Sequence, residues 1–453
     1  MSELYVNSVC LSPMVRSGTL PLRLLSLRYG ADLVYGEEII DKRIISAVRV
    51  PNAILNSVDF VSRKGDSIIF RTCPEEAGKV VFQIGTADPV LALKAAETVA
   101  RDVAAVDVNM GCPKHFSIQG GMGAALLQKP EVACDIDTAK RLENAGAYAV
   151  GVHMRQIHER PHDKASWEKL APVVSALSVP VLANGDVFKY ENIEELRKIS
   201  GASSFLIARG ALANASVFRK EGPLPVDQVV RAYLETAAEV DNVFQNTKYN
   251  VMRMIPNSLD DAYASGNHYG YAKGDHVVTV AQLAATKNSL QMYSLWDLQN
   301  SYRQCQDLFR AKAVALEKDT ISNGRISKSP VLLAGADGGA LQSADGEAFN
   351  DRKIRVGKPQ LLCETCDVQL MSEVDAKLHY KGRKHKNVLR RQTSATISKV
   401  VAKAQLEQEP VAQVAVDKVD GTSLNSRPNA LEHRTHSQEE GHDFKRLKLA
   451  SEA

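Results

Sequence analysis

The sequence predicts an α/β chain built on a (β/α)₈ TIM barrel. Three observations predict it. A short apolar strand, a glycine, proline or polar turn and a helix-like segment recur through about residue 220. The strands are near-continuous apolar runs, as in a parallel sheet covered on both faces. Polar residues gather at the C-terminal end of each strand, where barrels place their chemistry, which favours a closed barrel over an open doubly wound sheet.

In order, the expected strands are Val9–Met14, Leu33–Tyr35, Val80–Gly85, Ala105–Asn109, Tyr148–His153, Val181–Asn184 and Phe205–Ala208. From Pro223 the pattern turns helical: Val229, Val230, Tyr233, Leu234, Ala237 and Val240 recur at helical spacing, and a second run covers Gln299–Leu316. The segment 318–358 is rich in Asp, Ser and Gly, as in Ala334-Gly335-Ala336-Asp337-Gly338-Gly339, and reads as a flexible linker. The expected domains are a barrel at 1–222, a helical domain at 223–317, the linker at 318–358, a zinc finger at 359–391 and a polar, disordered tail at 392–453.

Composition narrows the setting. The net charge of +3 over 453 residues rules out a globally basic nucleic-acid binder, so any such affinity must come from local patches. The seven cysteines (10, 73, 112, 134, 305, 363, 366) are scattered, with one close pair, which is no disulfide framework and points to a reducing compartment. The N-terminus shows no signal-peptide pattern, and no apolar run approaches the ~20 residues of a membrane span. The expectation is a cytoplasmic protein, with Lys445-Arg446-Leu447-Lys448 a weak candidate nuclear signal and a solvated tail the blander reading.

Chemistry concentrates in Val108-Asn109-Met110-Gly111-Cys112-Pro113 and the glycine-rich string through Leu127. Taken locally, Cys112 is either a buried structural thiol or a reactive group at a barrel mouth. The longer string resembles the active-site segment of the tRNA-dihydrouridine synthases, specifically their eukaryotic type-2 branch, and Asn246-Thr247-Lys248-Tyr249 also resembles that family. The resemblance implies NADPH-driven, FMN-dependent reduction of a uracil 5,6 double bond in the tRNA D-loop, at position 20. It implies Cys112 as the proton donor to C5 and Asn109 beside the substrate base. A thiol with an intrinsic pKa of about 8.5 is protonated at neutral pH, and an amide both donates and accepts, as a uracil edge requires. It further implies flavin contacts from Pro13-Met14-Val15, Gln83, His153, Asn184-Gly185-Asp186 and Ala208-Arg209-Gly210, the last holding phosphate as late barrel loops do.

The sequence departs from that family in one place. It offers seven strands, not eight. Between Gly123 and Ile136 there is no room for the fifth strand and its helix, nor for the flavin-contacting lysine that the family carries there in a Lys-Ile-Arg-like string. The distant Lys353-Ile354-Arg355 is read as coincidence. A barrel that omits a strand must change its shear or leave edges unpaired. Met154 also stands where the family usually has glycine, which by that resemblance adds bulk near the flavin.

Near the C-terminus, Cys363-x₂-Cys366-x₁₂-His379-x₅-His385 has the spacing of a C₂H₂ structural zinc site, with a distorted turn before the last histidine. So short a segment cannot bury a core without metal. Lys381, Arg383, Lys384 and Lys386, with Lys377, Arg390 and Arg391, make it basic, and Leu378–His385 resembles the fingers of spliceosomal and double-stranded-RNA-binding proteins. Phosphate contacts and shape readout of RNA follow from that likeness. The partner expected overall is tRNA, with no membrane and no obligate protein partner. Two alternatives remain: a flavin oxidoreductase acting on a small molecule, and a catalytically impaired RNA-binding protein on a shortened barrel.

Overall fold

Alternate residues of each barrel strand face opposite ways, and the chain makes both directions apolar. The computed structural model describes residues 2–63, 67–112, 114–127, 136–156, 159, 162–255, 278–322, 361–370 and 373–392. Cys134, Lys353-Ile354-Arg355, Pro113, nearly all of the expected linker and the expected tail beyond Gln392 lie outside the described residues. The described residues up to Arg391 belong to one compact unit.

The barrel strands are β1 (Val9–Leu11), β2 (Leu33–Ile40), β6 (Val80–Gly85), β7 (Ala105–Val108), β8 (Val150–His153), β9 (Val181–Asn184) and β10 (Ser204–Ile207), with β3 (Val48–Asn52), β4 (Ser57–Val61) and β5 (Ile68–Thr72) inserted after β2. The seven pair in parallel, in the order β7-β6-β2-β1-β10-β9-β8. They form a curled parallel sheet that closes around β1 and stops at β7 and β8. Those are the two strands that the missing fifth strand would have joined, and among the described residues neither has a partner on that side. The exposure of Val108 is what an unpaired edge produces.

The helices are α1 (Leu20–Arg28), α2 (Asp41–Ile45), α3 (Pro89–Val99), α4 (His115–Gln119), α5 (Ile136–Asn144), α6 (Ala171–Ala176), α7 (Tyr190–Ser200), α8 (Arg209–Ala213), α9 (Val226–Glu239), α10 (Phe244–Met254), α11 (Val280–Ala285), α12 (Ser289–Ser294), α13 (Gln299–Ser322) and α14 (Glu373–Lys381). Local chemistry sets their ends. Asp88 accepts from Val90 and Leu91 N–H to start α3 at Pro89. Gly201, at φ 72°, ends α7.

Inward residues Cys10, Leu33, Tyr35, Val81, Leu182 and Leu206 fill the curl, closed below by Tyr5. Outward residues such as Leu11, Val34, Phe82, Ala183 and Phe205 meet the helices, each fully buried large side chain contributing about 1.5–3 kcal/mol. One step up from the inward layer, the same parity brings Ser12, Gln83, Asp107, His153, Asn184 and Ala208 to the C-terminal mouth.

The antiparallel sheet β3–β4–β5 was not among the expected strands. It joins the barrel to the helical region: both oxygens of buried Asp59 take Arg71, whose Nη1 donates to the Val240 carbonyl at 2.7 Å. Ile54, in its first turn, packs on Phe309 of α13. In the helical region Trp296 Nε1 donates to Asp227 at 2.9 Å, and Tyr293 OH to the Leu234 carbonyl at 2.9 Å. Helix α13 runs to Ser322, past the expected linker start at 318, because the sequence offers no glycine or proline before Gly324. The finger is a hairpin, β11 (Leu361–Cys363) and β12 (Val368–Leu370), followed by α14 and a second helical stretch over 383–392. Among the described residues no helix is long and apolar enough to cross a membrane.

Candidate active site and metal centre

Strand β7 ends in a turn that Asn109 organises. Its Oδ1 accepts the backbone N–H of Gly111 and of Cys112, each at 3.1 Å. The Cys112 carbonyl accepts Ala124 N–H at 3.1 Å. Gly123, at φ +57°, makes that approach possible, since a Cβ there would lie 2.6 Å from the same carbonyl. Partial burial and the nearby Glu38 carboxylate push the Cys112 thiol above its ordinary value. A thiol so placed stays protonated, the state a proton donor needs. Glu38 comes from β2 past a bulge. Desolvation raises its own carboxyl, the Asn109 amide and Lys114 oppose that, and its Oε1 is buried without a hydrogen-bond partner. Sequence reasoning missed Glu38; the adjacent pair Glu37-Glu38 in an otherwise apolar strand was the available signal.

The other expected residues line the same mouth. Met14 packs against the core, Pro13 is half-buried beside it and Val15 is exposed. Gln83 is buried and donates to Asp107 Oδ2 at 2.7 Å. Asn184 Nδ2 donates to Ser12 Oγ at 3.0 Å and to the Leu206 carbonyl at 3.1 Å, tying β9 to β1 and β10. His153 Nδ1 accepts Arg155 N–H, and desolvation with Arg155 and Arg209 nearby lowers its pKa, so the ring is neutral at pH 7.

At the β9 and β10 ends, Gly185 (φ +144°) and Asp186 (φ 56°) form a left-handed turn. The Asp186 carboxylate receives Arg155 and, at 2.5 Å, Arg209. Desolvation opposes its ionisation, but Arg155, Ala165 N–H and Arg209 outweigh that and lower its pKa. Gly210 follows Ala208 and Arg209 with no room for a side chain: a Cβ would lie 2.1 Å from the Val187 carbonyl.

The donor set on the β1, β6, β9 and β10 sides has the chemistry to hold a flat polar ring, and the Ala208–Gly210 turn with Arg209 are the groups that would meet an attached phosphate. On the side between β7 and β8 no lysine among the described residues takes the place that the family resemblance assigns to one. Met154, buried in the core beneath the Gly185 turn, keeps its bulk out of the mouth.

The finger brings its four ligands together. Cys363 Sγ and Cys366 Sγ each lie 3.4 Å from His385 Nδ1, and the candidate ligand atoms, His379 included, fall within 4.8 Å of one another. Tetrahedral zinc with bonds of about 2.0–2.3 Å sets its ligand atoms about 3.3–3.8 Å apart. His379 Nε2 is buried without a hydrogen-bond partner, and burial and the Cys363 sulfur push the Cys366 thiol up. A divalent cation would take up both groups as ligands. The helix breaks at Gly382, whose Cβ would press on the His379 carbonyl at 3.0 Å, so the long x₅ spacing is met by a kink. Lys381, Arg383, Lys384 and Lys386 are all exposed around it.

Comparison with known proteins agrees with this layout. The family description "Dihydrouridine synthase (Dus)" matches residues 10–138 and 135–262, two stretches that meet where the sheet opens. A "Zinc-finger of C2H2 type" matches 361–385. The tRNA-dihydrouridine(20) synthase [NAD(P)+] of Schizosaccharomyces pombe is 41% identical over 291 residues, 56% of this chain and 61% of that one. The Saccharomyces cerevisiae protein of the same name is 34% identical over 300 residues, 56% of this chain and 78% of that one. The human tRNA-dihydrouridine(20a/20b) synthase [NAD(P)+]-like protein is 25% identical over 276 residues, 54% of this chain and 81% of that one. The chain thus spans a little over three fifths of the length of the first of these relatives.

Proposed function

We propose, from the premise that this chain belongs to the dihydrouridine synthase family, that it reduces uridine to 5,6-dihydrouridine in the D-loop of tRNA, at position 20. The observation that carries the reading is the Asn109–Cys112 turn: a protonated thiol held at a strand end by a side chain able to read a uracil edge. FMN, when bound and reduced by NADPH, supplies the hydride for C6. Cys112 delivers the proton to C5. Asn109 Oδ1 holds the thiol's backbone, and its amide N–H₂, shared with Glu38, would donate to a carbonyl of the base. Gln83, Asn184, neutral His153 and the Pro13–Val15 turn would hold the ring, and Arg209 with the Gly210 turn would hold the phosphate. Zinc in the Cys363, Cys366, His379, His385 cluster is structural.

The edges of β7 and β8, without a partner on their outer sides among the described residues, favour a second reading, an RNA-binding protein with impaired flavin retention. One experiment separates the two. Purified protein is scanned for flavin absorbance, then incubated with FMN, NADPH and unmodified tRNA, and position 20 is read by mass spectrometry. Dihydrouridine at position 20 supports the first reading. Colourless protein that binds tRNA without converting it supports the second. Turnover of free pyrimidines with tRNA unchanged would point to a small-molecule oxidoreductase.

A further inference from the structure

Two segments far apart in sequence meet in a set of hydrogen bonds: Lys287–Gln291, at the start of α12, and Asp367–Gln369, on the finger hairpin. Gln369 is buried, 8% exposed. Its side-chain oxygen accepts the Ser289 N–H at 2.9 Å and the Ser289 hydroxyl at 3.0 Å. Its backbone N–H donates to the Lys287 carbonyl at 3.0 Å, and its carbonyl accepts Gln245 Nε2 at 3.4 Å. Asn288 Nδ2 donates to Asp367 Oδ1 at 2.9 Å, and Gln291 Nε2 donates to the other carboxylate oxygen. Asn288 and Ser289 are themselves buried, and Asn288 Oδ1 caps α12 through Gln291 N–H at 2.9 Å. A finger swinging on a tether would leave these groups to water. Here Gln369 satisfies both its backbone and its side chain outside the finger.

The finger's helical half stays out of this contact. Lys377, Lys381, Arg383, Lys384, Lys386, Arg390 and Arg391 are all exposed, while the acidic residues of that half, Glu373 and Asp375, lie in its first turn.

We propose that the finger is a metal-dependent, docked part of the helical region, and that docking fixes its basic helix as a second contact for an RNA duplex on the body that carries the catalytic mouth. The proposal rests on the tRNA reading above and adds to it a partner surface and a dependence on the metal. The chemistry recognised is the phosphate backbone of a stem: rigid cations at fixed spacing suit a rigid helix and read its shape rather than its sequence. Docking also spares RNA binding the entropy of immobilising a tethered module.

The test uses the full chain with its metal. Hydrogen exchange is followed at 287–291 before and after chelation, in wild type and in Ser289→Ala, which lies outside the finger and leaves the zinc ligands untouched. Gln369→Ala serves as a second docking variant, and Lys381→Glu with Lys384→Glu as a surface variant. Zinc content is measured by native mass spectrometry, and tRNA affinity at two salt concentrations. The expected result is faster exchange at 287–291 on chelation and in both docking variants, with zinc retained. Their tRNA affinity should fall roughly tenfold. The surface variant should keep slow exchange but lose affinity, with a salt slope reduced by about 2 or more. Exchange at 287–291 that neither docking variant alters would overturn docking, and exchange that chelation alone does not alter would overturn its dependence on the metal. Docking variants that lose protection yet bind tRNA as wild type would overturn the RNA role and direct the surface to a protein partner. None of these readouts needs uridine reduction, so failure of the catalytic reading is scored separately.

Discussion

Asn109 Oδ1 accepts the backbone N–H of Cys112 at 3.1 Å, and the same amide opposes the rise in the Glu38 carboxyl's pKa, so one side chain links the thiol's turn to the carboxylate on β2. Cys112→Ala is expected to leave flavin content unchanged and to cut dihydrouridine formation by about 10²–10⁴-fold, the usual worth of a positioned acid. Single-turnover rates on unmodified tRNA measure it. A wild-type rate would remove Cys112 from the reaction.

The same thiol sets a pH dependence. Burial first, then Glu38, raise its pKa, and in the proposed reaction the protonated form is the one that acts. Its contribution therefore persists through neutral pH and is lost only as the solution becomes alkaline beyond the ordinary thiol range. Glu38→Gln removes the nearby negative charge and should bring that alkaline limb to lower pH. A pH–rate profile that does not move would assign the limb to another group.

Asp186 is the common partner of Arg155 and Arg209. Its pKa is lowered in the fold. The stability it contributes is therefore present above the unfolded aspartate value of about 3.9 and is lost as pH falls through the lower folded value. Asp186→Asn is expected to cost about 1–3 kcal/mol at pH 7, with a smaller difference from wild type in acid. Thermal unfolding at both pH values reads it, and an equal difference at the two would contradict the assignment.

Arg23 and Glu76 form a buried ion pair, 2.7 Å apart, with side chains 2% and 0% exposed. Arg23 also donates to the Gly18 and Arg71 carbonyls, each at 2.6 Å, holding the loop after β1 against β5. Glu76→Ala strands that guanidinium, and urea titration should show a loss of about 3–5 kcal/mol. A loss under 1 kcal/mol would mean that water reaches the site.

The opening between β7 and β8 makes a constructive prediction. Inserting a strand and helix with a mouth-facing lysine between 127 and 136 should pair both edges. FMN bound per chain, read by absorbance after gel filtration, should rise. Unchanged flavin content would show that the open sheet already holds all the flavin contacts it needs.

Much of the site was legible because barrel chemistry is tied to strand ends, and strand ends are marked by apolar runs that stop at polar turns. The expected strands recur with ends shifted by a few residues: β1 stops at Leu11 rather than Met14, and β2 runs on to Ile40 through a bulge. The insertion β3–β5 was missed because Pro51 interrupts the alternation of Val48-Arg49-Val50, although its pairing with Ser57–Val61 is a local hairpin across residues 53–56. Glu38 was missed because a carboxylate inside an apolar strand gains meaning only when the bulge turns it toward Asn109 and Cys112.

By itself the sequence determined the seven-strand count, the Cys112 turn and the four-ligand spacing of the finger, since each is written in local residue type and interval. Only the tertiary structure decided that Asn184 ties β9 to β1 and β10, that Arg209 shares Asp186 with Arg155, and that the finger rests on Lys287–Gln291. Those three depend on which buried polar groups must find partners across long stretches of chain, and that demand is set by packing rather than by any local pattern.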